Sequence, residues 1–277
     1  MPTPIAWPGR AAFLEMLSQR PLDTDTIELY DAPIDQLRDL MELAVQRRVP
    51  RFNLLFHDSY TGEAVIRVPS GPNSDAICRI SCSLWAVLAN LGFDDFIEWY
   101  GGAAITSPDG RYTAEPDTSF LPTSRGANPG TRFPSVMVEV GMTQSRPSLR
   151  RVVRGWFEMS GGLAKIVILV DIRCRLSGRH EVVFEKWRYP GGRPVCDTEV
   201  SVVLRPDFQD PGVPFDYMPA DFTATTTPES APLPMTLEFD LVCDRAPGPG
   251  EGDILLPALF FQDVACRVWR SFCAPST

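Results

Sequence analysis

Lysine and histidine are scarce in this sequence. Of its 26 lysines and arginines only Lys165 and Lys186 are lysines, and its only histidines are His57 and His180. Two histidines, without any Cys-x-x-Cys pair, argue against a zinc site. The same shortage argues against catalysis by a serine or cysteine that a histidine activates. Carboxylates remain as the candidates for chemistry.

Long apolar runs and a cysteine framework are also missing. No stretch of about 18 apolar residues occurs, which argues against a membrane span. The N-terminal sequence MPTPIAWPGRAAFLEML lacks the basic-then-apolar order of a secretory signal. The 7 cysteines are odd in number and scattered, which is typical of reduced thiols rather than of disulfides. We therefore expect an intracellular protein, in the cytoplasm or the nucleus; the sequence predicts no oligomeric state.

Length and charge set further bounds. The chain has 277 residues, of which 44% are hydrophobic, enough for a sizeable core in one large domain. The segment Arg146–Arg193 has eleven arginines or lysines against four acids, although the net charge of the chain is −9. This segment predicts either a solvated arginine-rich helix and hairpin or a surface that contacts a polyanion such as DNA or RNA.

Hydrophobic periodicity predicts a mixture of helices and strands. We expect helices over residues 11–19, 34–48, 75–93, 145–159 and 258–272, and strands over residues 51–58, 63–70, 95–105, 136–145, 164–172 and 235–243. Gly92 is expected to end the third helix, and Cys78 and Cys82 to fill core positions within it. Ser145 is expected to cap the fourth helix, which should bury Leu149, Val152, Val153 and Trp156. A hairpin is expected around Ser177-Gly178, and the proline-rich segment 205–234 predicts an irregular excursion.

An acid stands in the middle of one predicted strand. Glu139 lies in the apolar run Val136–Val140, where a buried strand would normally carry a hydrophobic residue. A buried carboxylate costs on the order of several kcal/mol unless it is paired, hydrogen-bonded or bound to a metal. A second acid, Asp117, follows Pro116 at a loop-to-strand edge. The two acids form either a divalent-cation site or a buried structural pair.

The elements between about residues 75 and 172 follow the order helix, three strands, helix, strand. With Pro116-Asp117, Glu139 and the wider string EPDTSFLP…FPSVMVEVGMTQS…GGLAKIVILVDI…EKW, this order resembles the PD-(D/E)XK, restriction-endonuclease-like nucleases. It is similar to uncharacterised fungal proteins assigned to that fold. The resemblance implies one α/β domain over residues 1–277, with a restriction-endonuclease-like core at about 75–190. In that core, helices would flank a mixed central sheet, and residues 1–74 and 191–277 would be N- and C-terminal elaborations.

The resemblance also implies Mg²⁺-assisted hydrolysis of phosphodiester bonds in nucleic acid. Asp117 and Glu139 would hold Mg²⁺ or Mn²⁺, and the backbone carbonyl of Val140 would complete the shell. The ion would activate a water and neutralise charge on the phosphate. The basic segment Arg146–Arg193 would face DNA or RNA.

One residue departs from the family pattern. A lysine usually follows the strand acid by two positions, and here that position is Gly141. Three residues are candidates to replace it: Gln144 could orient a water, Arg150 could supply charge from the next helix, and Lys165 could be a displaced lysine. Each of the three also has a purely structural interpretation.

Three functions therefore stay open. The retained Asp117 and Glu139 favour an active metal-dependent nuclease. The glycine at Gly141 favours a catalytically degenerate nuclease fold that acts as a nucleic-acid or protein interaction module. The third is a small-molecule-binding α/β protein whose acids only stabilise a turn.

Overall fold

The computed structural model describes residues 4–19, 26–68, 71–126, 132–142, 146–174, 180–204, 218–227 and 231–272. The chain divides into two compact units, Met1–Gly71 with Gly102–Pro116, and Pro72–Gly101 with Asp117–Thr277. One domain over residues 1–277 was expected, with an extension up to residue 74, and the first boundary between the two units lies close to that residue. Residues 191–277, expected as an extension, supply two strands to the main sheet of the second unit.

The first unit is a six-stranded sheet with two helices. Its strands are β1 (Ile5–Ala6), β2 (Thr26–Tyr30), β3 (Asn53–Asp58), β4 (Ala64–Arg67), β6 (Ile105–Thr106) and β7 (Tyr112–Ala114), and its helices are α1 (Arg10–Ser18) and α2 (Ile34–Val45). The strand order is β1-β2-β4-β3-β7-β6. Leucine and phenylalanine side chains from both helices, among them Phe13, Leu37 and Leu40, pack with buried Leu54 and Ile66 of the sheet.

The second unit is built on a seven-stranded sheet. Its strands are β5 (Ile97–Trp99), β8 (Thr118–Pro122), β9 (Val136–Gly141), β10 (Ile166–Cys174), β11 (His180–Arg188), β12 (Val195–Leu204) and β13 (Phe222–Thr226); β14 (Met235–Leu237) and β15 (Ile254–Leu256) form a separate pair. Its helices are α3 (Gly71–Asn90), α4 (Arg146–Met159), α5 (Phe239–Cys243) and α6 (Ala258–Phe272). The order is β13-β12-β11-β10-β9-β8-β5. Of these neighbouring strands only β9 and β10 pair in parallel, and α4 connects them in the chain. The other neighbouring strands are antiparallel.

The two faces of this sheet pack against different helices. Val136, Val138 and Val140 of β9 join a core with residues of α3 and α6. The intervening residues of β9 point to the opposite face, because side chains alternate along a strand. That face carries Glu139, and α4 covers it, so the central acid of β9 lies beneath α4.

Most predicted elements of the second unit are confirmed. Helix α4 was expected to bury Leu149, Val152, Val153 and Trp156; three of them are buried, whereas Val152 is half-buried. Gly92 follows α3 in the left-handed conformation, with φ of 77°, which a glycine adopts without steric cost. The turn at 177–178 and the helix N-cap expected at Ser145 lie outside the described residues.

Three predicted elements are wrong in their extent. Residues 95–105 are not one strand: Gly101 interrupts them with φ of 66°, and β5 and β6 join different sheets. Residues 235–243 are β14 followed by α5, because the carboxylate of Asp253 accepts the N–H of Phe239 at 2.9 Å and so caps the first helical turn. Within the proline-rich segment 205–234, β13 is a regular strand that pairs with β12.

The cysteines of α3 are placed contrary to expectation. Cys78 and Cys82 are exposed and do not fill the core. The core face of α3 is formed instead by Ala76, Ile80 and Leu84. Each cysteine follows a residue of this face by two positions, which turns it about 200° around the helix and away from the core. Among the described residues, none of the helices combines the length and the apolar character that a membrane crossing requires.

Candidate metal centre

Asp117 and Glu139 meet at the junction of β8 and β9. Thr118 pairs with Val138 in the antiparallel register of these strands. Asp117 directly precedes Thr118 and Glu139 directly follows Val138, so the same register sets the two acids beside each other. Both are almost fully buried, with relative exposures of 7% and 3%. The acids that the sequence analysis selected are therefore brought to one place.

Each acid accepts a hydrogen bond from a group that holds it in position. Asp117 Oδ2 accepts the backbone N–H of Val140 at 2.7 Å. Glu139 Oε1 accepts the indole N–H of Trp156 at 2.7 Å. The N–H and C=O of one residue in an extended strand point to the same side, so the carbonyl of Val140 is directed towards β8 and Asp117. The three expected metal ligands thus share one corner of the sheet.

The position of the missing lysine is closed by a leucine. A Cβ atom placed on Gly141 would lie 2.4 and 2.5 Å from the Cδ atoms of Leu149 and 3.0 Å from its Cγ. Leu149 is buried at 2% exposure, and α4 holds it over the strand. A side chain at position 141 therefore requires Leu149 to move. The packing of α4 therefore requires glycine at position 141. A lysine side chain cannot occupy this position while Leu149 stays where it is.

Arg150 is bound to a second acidic group. Its guanidinium donates to Glu185, with its Nη2 2.8 Å from Oε1, and lies 5.4 Å from the ring centre of Trp187. Glu185 lies two strands away from Glu139, because Leu169 is paired with both; this is a separation of about 10 Å at the usual strand spacing. Arg150, which was expected to supply positive charge at the metal site, thus neutralises Glu185.

Glu185 is the centre of a charge cluster on the same face. Its side chain is fully buried, it accepts hydrogen bonds from Arg146, Arg150 and Trp187, and it is paired in register with Glu199 of β12. Burial alone would raise the pKa of Glu185, but the hydrogen bond from Arg150 and the charge of Arg146 outweigh it, so the pKa is lowered. Glu185 therefore stays ionised as the counter-ion of Arg146 and Arg150 in α4.

Lys165 lies away from the acids. Its ammonium group donates to the carbonyl of Gly162 at 2.7 Å. Leu169 is the residue of β10 beside Glu139, so Lys165 is displaced along the strand by four residues, or about 13 Å. Gln144, the remaining candidate, lies outside the described residues.

Much of the expected basic surface is neutralised by acids. Besides Arg146 and Arg150 of α4, Arg173 pairs with Asp171 and Glu181. Lys186 and Arg188 both pair with acids from beyond the basic segment, at Asp197 and Glu238. The positive excess of Arg146–Arg193 is therefore offset locally, and a nucleic-acid surface on this segment stays a prediction.

The acid pair suits a hydrated divalent ion more than a fully coordinated one. Among the described residues, no group of three or more histidine, cysteine, aspartate or glutamate side chains converges in a way that would hold a metal. Mg²⁺ is often bound through one or two carboxylates and keeps several waters. The cation site at Asp117, Glu139 and the Val140 carbonyl therefore stays a prediction.

Two features of the site were not anticipated from the sequence. Trp156 was expected as a core residue only, yet it is also the donor that orients Glu139. Glu185 and Glu199 were not selected, although Glu185 directly follows the apolar residues Val182, Val183 and Phe184 of its strand. The same signal, an acid in an apolar strand, could have identified it.

Comparison with known proteins adds no assignment. No protein-family model matches the chain, and no curated protein is significantly similar to it. The resemblance to restriction-endonuclease-like proteins therefore rests on the residues and elements described above.

Proposed function

We propose that this chain is a catalytically degenerate member of the restriction-endonuclease-like fold, which binds a divalent cation at Asp117 and Glu139 and acts as an interaction module. The observation that carries this proposal is Leu149, which fills the space where the family's lysine would stand. The positively charged lysine side chain that would stabilise charge on the phosphate is missing at that position, and Arg150 pairs with Glu185 instead.

The order and pairing of the elements support the fold assignment. Helix α3 is followed by the antiparallel strands β5, β8 and β9, then by helix α4, and then by β10 parallel to β9. This is the order that the resemblance implies, with Asp117 directly before β8 and Glu139 within β9. The α/β class and the mixed sheet are compatible with other folds, so this finer assignment is part of the proposal.

The second candidate is metal-dependent hydrolysis of phosphodiester bonds in nucleic acid. It is favoured by the placement of Asp117 beside Glu139, with the Val140 carbonyl directed to the same corner. Bound there, Mg²⁺ or Mn²⁺ would supply an activated water and charge neutralisation. The residues of this chain would hold the ion and, through Trp156, keep Glu139 oriented.

Calorimetric titration tests the cation site. We expect one Mg²⁺ or Mn²⁺ to bind the native chain, and binding to weaken at least tenfold in Glu139→Gln, since a carboxylate ligand is lost. Glu98→Gln is the matched control, because Glu98 is an exposed glutamate on β5 with a side-chain exposure of 55%. Heat of binding that is absent from the native chain, or equal in both variants, would rule out the site.

Cleavage assays separate the two candidates. Degeneracy predicts that the native chain leaves DNA and RNA intact in Mg²⁺ and in Mn²⁺. Metal-dependent cleavage that disappears in Glu139→Gln and persists in Glu98→Gln would establish the nuclease instead.

A designed double variant tests why activity is missing. Gly141→Lys alone would collide with Leu149, so the lysine is introduced together with Leu149→Ala, which removes the colliding atoms. We expect this double variant to gain metal-dependent cleavage, whereas Leu149→Ala alone stays inactive. An inactive double variant that folds and binds the ion would show that the lysine is not what the site lacks.

A further inference from the structure

The outward face of α3 carries two neighbouring thiols. Ala76, Ile80 and Leu84 recur every four residues and face the core. Cys78 and Cys82 recur with the same spacing on the opposite side of the helix and are exposed. Residues four apart lie one above the other on a helix, with Cβ atoms about 5–6 Å apart.

The two thiols also interact with each other. Partial burial, the charge of the Cys78 thiolate and a hydrogen bond with Cys78, in that order, raise the pKa of Cys82.

We propose that Cys78 and Cys82 form a surface dithiol site for a soft, thiophilic monovalent metal ion, Cu(I). Thiolates select soft ions, and Cu(I) is the member of that class that two thiolates can satisfy; structural zinc sites normally require four ligands. Two S–H bonds break and two Cu–S bonds form. Two protons pass to water, no atom changes its oxidation state, and the bound site carries one negative charge.

The other described cysteines are poor competitors for the ion. Cys196 is partly buried and Cys243 is buried, so an ion in solution reaches their thiols less readily than it reaches the exposed pair. Burial also raises the pKa of Cys196 to about 12 and that of Cys243 to about 11. Cys266 is buried within the core, and burial raises its pKa as well. Exposure and a neighbouring thiol are combined only at Cys78 and Cys82 among the cysteine side chains that the structure describes.

Competition for Cu(I) tests the site. The reduced full-length chain is titrated without oxygen against the coloured Cu(I)–bicinchoninate complex, whose loss of absorbance measures transfer. We expect one Cu(I) per chain, and transfer at least tenfold weaker in Cys78→Ser and in Cys82→Ser. Because binding releases two protons, the affinity for Cu(I) should fall by about 100-fold for each unit by which the pH is lowered, in the range where both thiols are protonated.

An out-of-phase variant provides the matched control. Cys82→Ser combined with Ser83→Cys keeps the number of cysteines but turns the second thiol about 140° from Cys78, at 100° per residue. We expect this variant to bind as weakly as the single serine variants, with the helical circular dichroism of the native chain. Native-like transfer to the out-of-phase variant, transfer that survives either serine substitution, or no transfer to the native chain would overturn the proposal.

Discussion

The contact between Gly141 and Leu149 can be tested through the stability of the protein. Gly141→Ala adds one methyl group at a point 2.4 and 2.5 Å from the two Cδ atoms of Leu149. Gly141 is not one of the glycines with positive φ, so alanine can adopt its backbone conformation and the collision alone opposes the substitution. Overpacking of this kind costs about 1–3 kcal/mol.

Removal of the leucine should reverse the effect of the added methyl group. Leu149→Ala alone leaves a cavity under α4 and should cost about 2–5 kcal/mol. In that background the methyl group of Gly141→Ala meets no leucine and fills part of the cavity. The double variant should therefore be at least about 1 kcal/mol more stable than the sum of the single effects, well above the error of additivity.

Urea denaturation of the four proteins measures this coupling. The free energies of unfolding from linear extrapolation give the double-mutant cycle, and equal slopes verify that the unfolded states are comparable. Single effects that add within about 0.5 kcal/mol would refute the contact. The explanation of the missing lysine, which depends on the same contact, would then fall too.

Three further outcomes are expected. Trp156→Phe removes one donor from buried Glu139 and should lower the free energy of unfolding by about 1–3 kcal/mol, whereas Trp156→Ala also empties the core and should cost about 3–5 kcal/mol. A Trp156→Phe variant that is as stable as the native chain would contradict the hydrogen bond. Glu185→Gln removes the buried carboxylate that Arg146 and Arg150 share and leaves them only the more exposed Glu199 as counter-ion. It should cost about 3 kcal/mol at neutral pH, measured by urea denaturation. Because the pKa of Glu185 is lowered in the folded state, the native chain should keep its full advantage over Glu185→Gln above about pH 5 and lose it below about pH 4. An advantage that does not change between pH 7 and pH 3 would exclude an ionised Glu185.

The elements that could be predicted are those whose pattern lies within one segment. Helices α3, α4 and α6 follow from apolar residues at helical spacing, and even β12 could have been anticipated, since buried Val200 and Val202 alternate with polar Glu199 and Ser201. The start of α5 could not, because Asp253, which caps it, lies 14 residues further along the chain.

The candidate site shows the same division. Glu139 is visible in the sequence because an acid interrupts an apolar strand. Its donor Trp156 and the closure of Gly141 by Leu149 both depend on how α4 crosses the sheet, and sequence spacing does not give that path. The exposure of Cys78, by contrast, follows from the phase of its helix once Ala76 is placed in the core.

The division of the first unit into two chain segments has a consequence for its synthesis. Residues 102–116 supply β6 and β7, and β7 pairs with β3 at His57 and Asp58. Until the ribosome has added these residues, the edge of β3 has no partner strand, and an open strand edge is a template for pairing with other chains. Most of the first unit is synthesised before the second, yet it cannot be completed until β5 of the second unit has been made. A fragment that ends at Gly71 should therefore aggregate where the full chain does not.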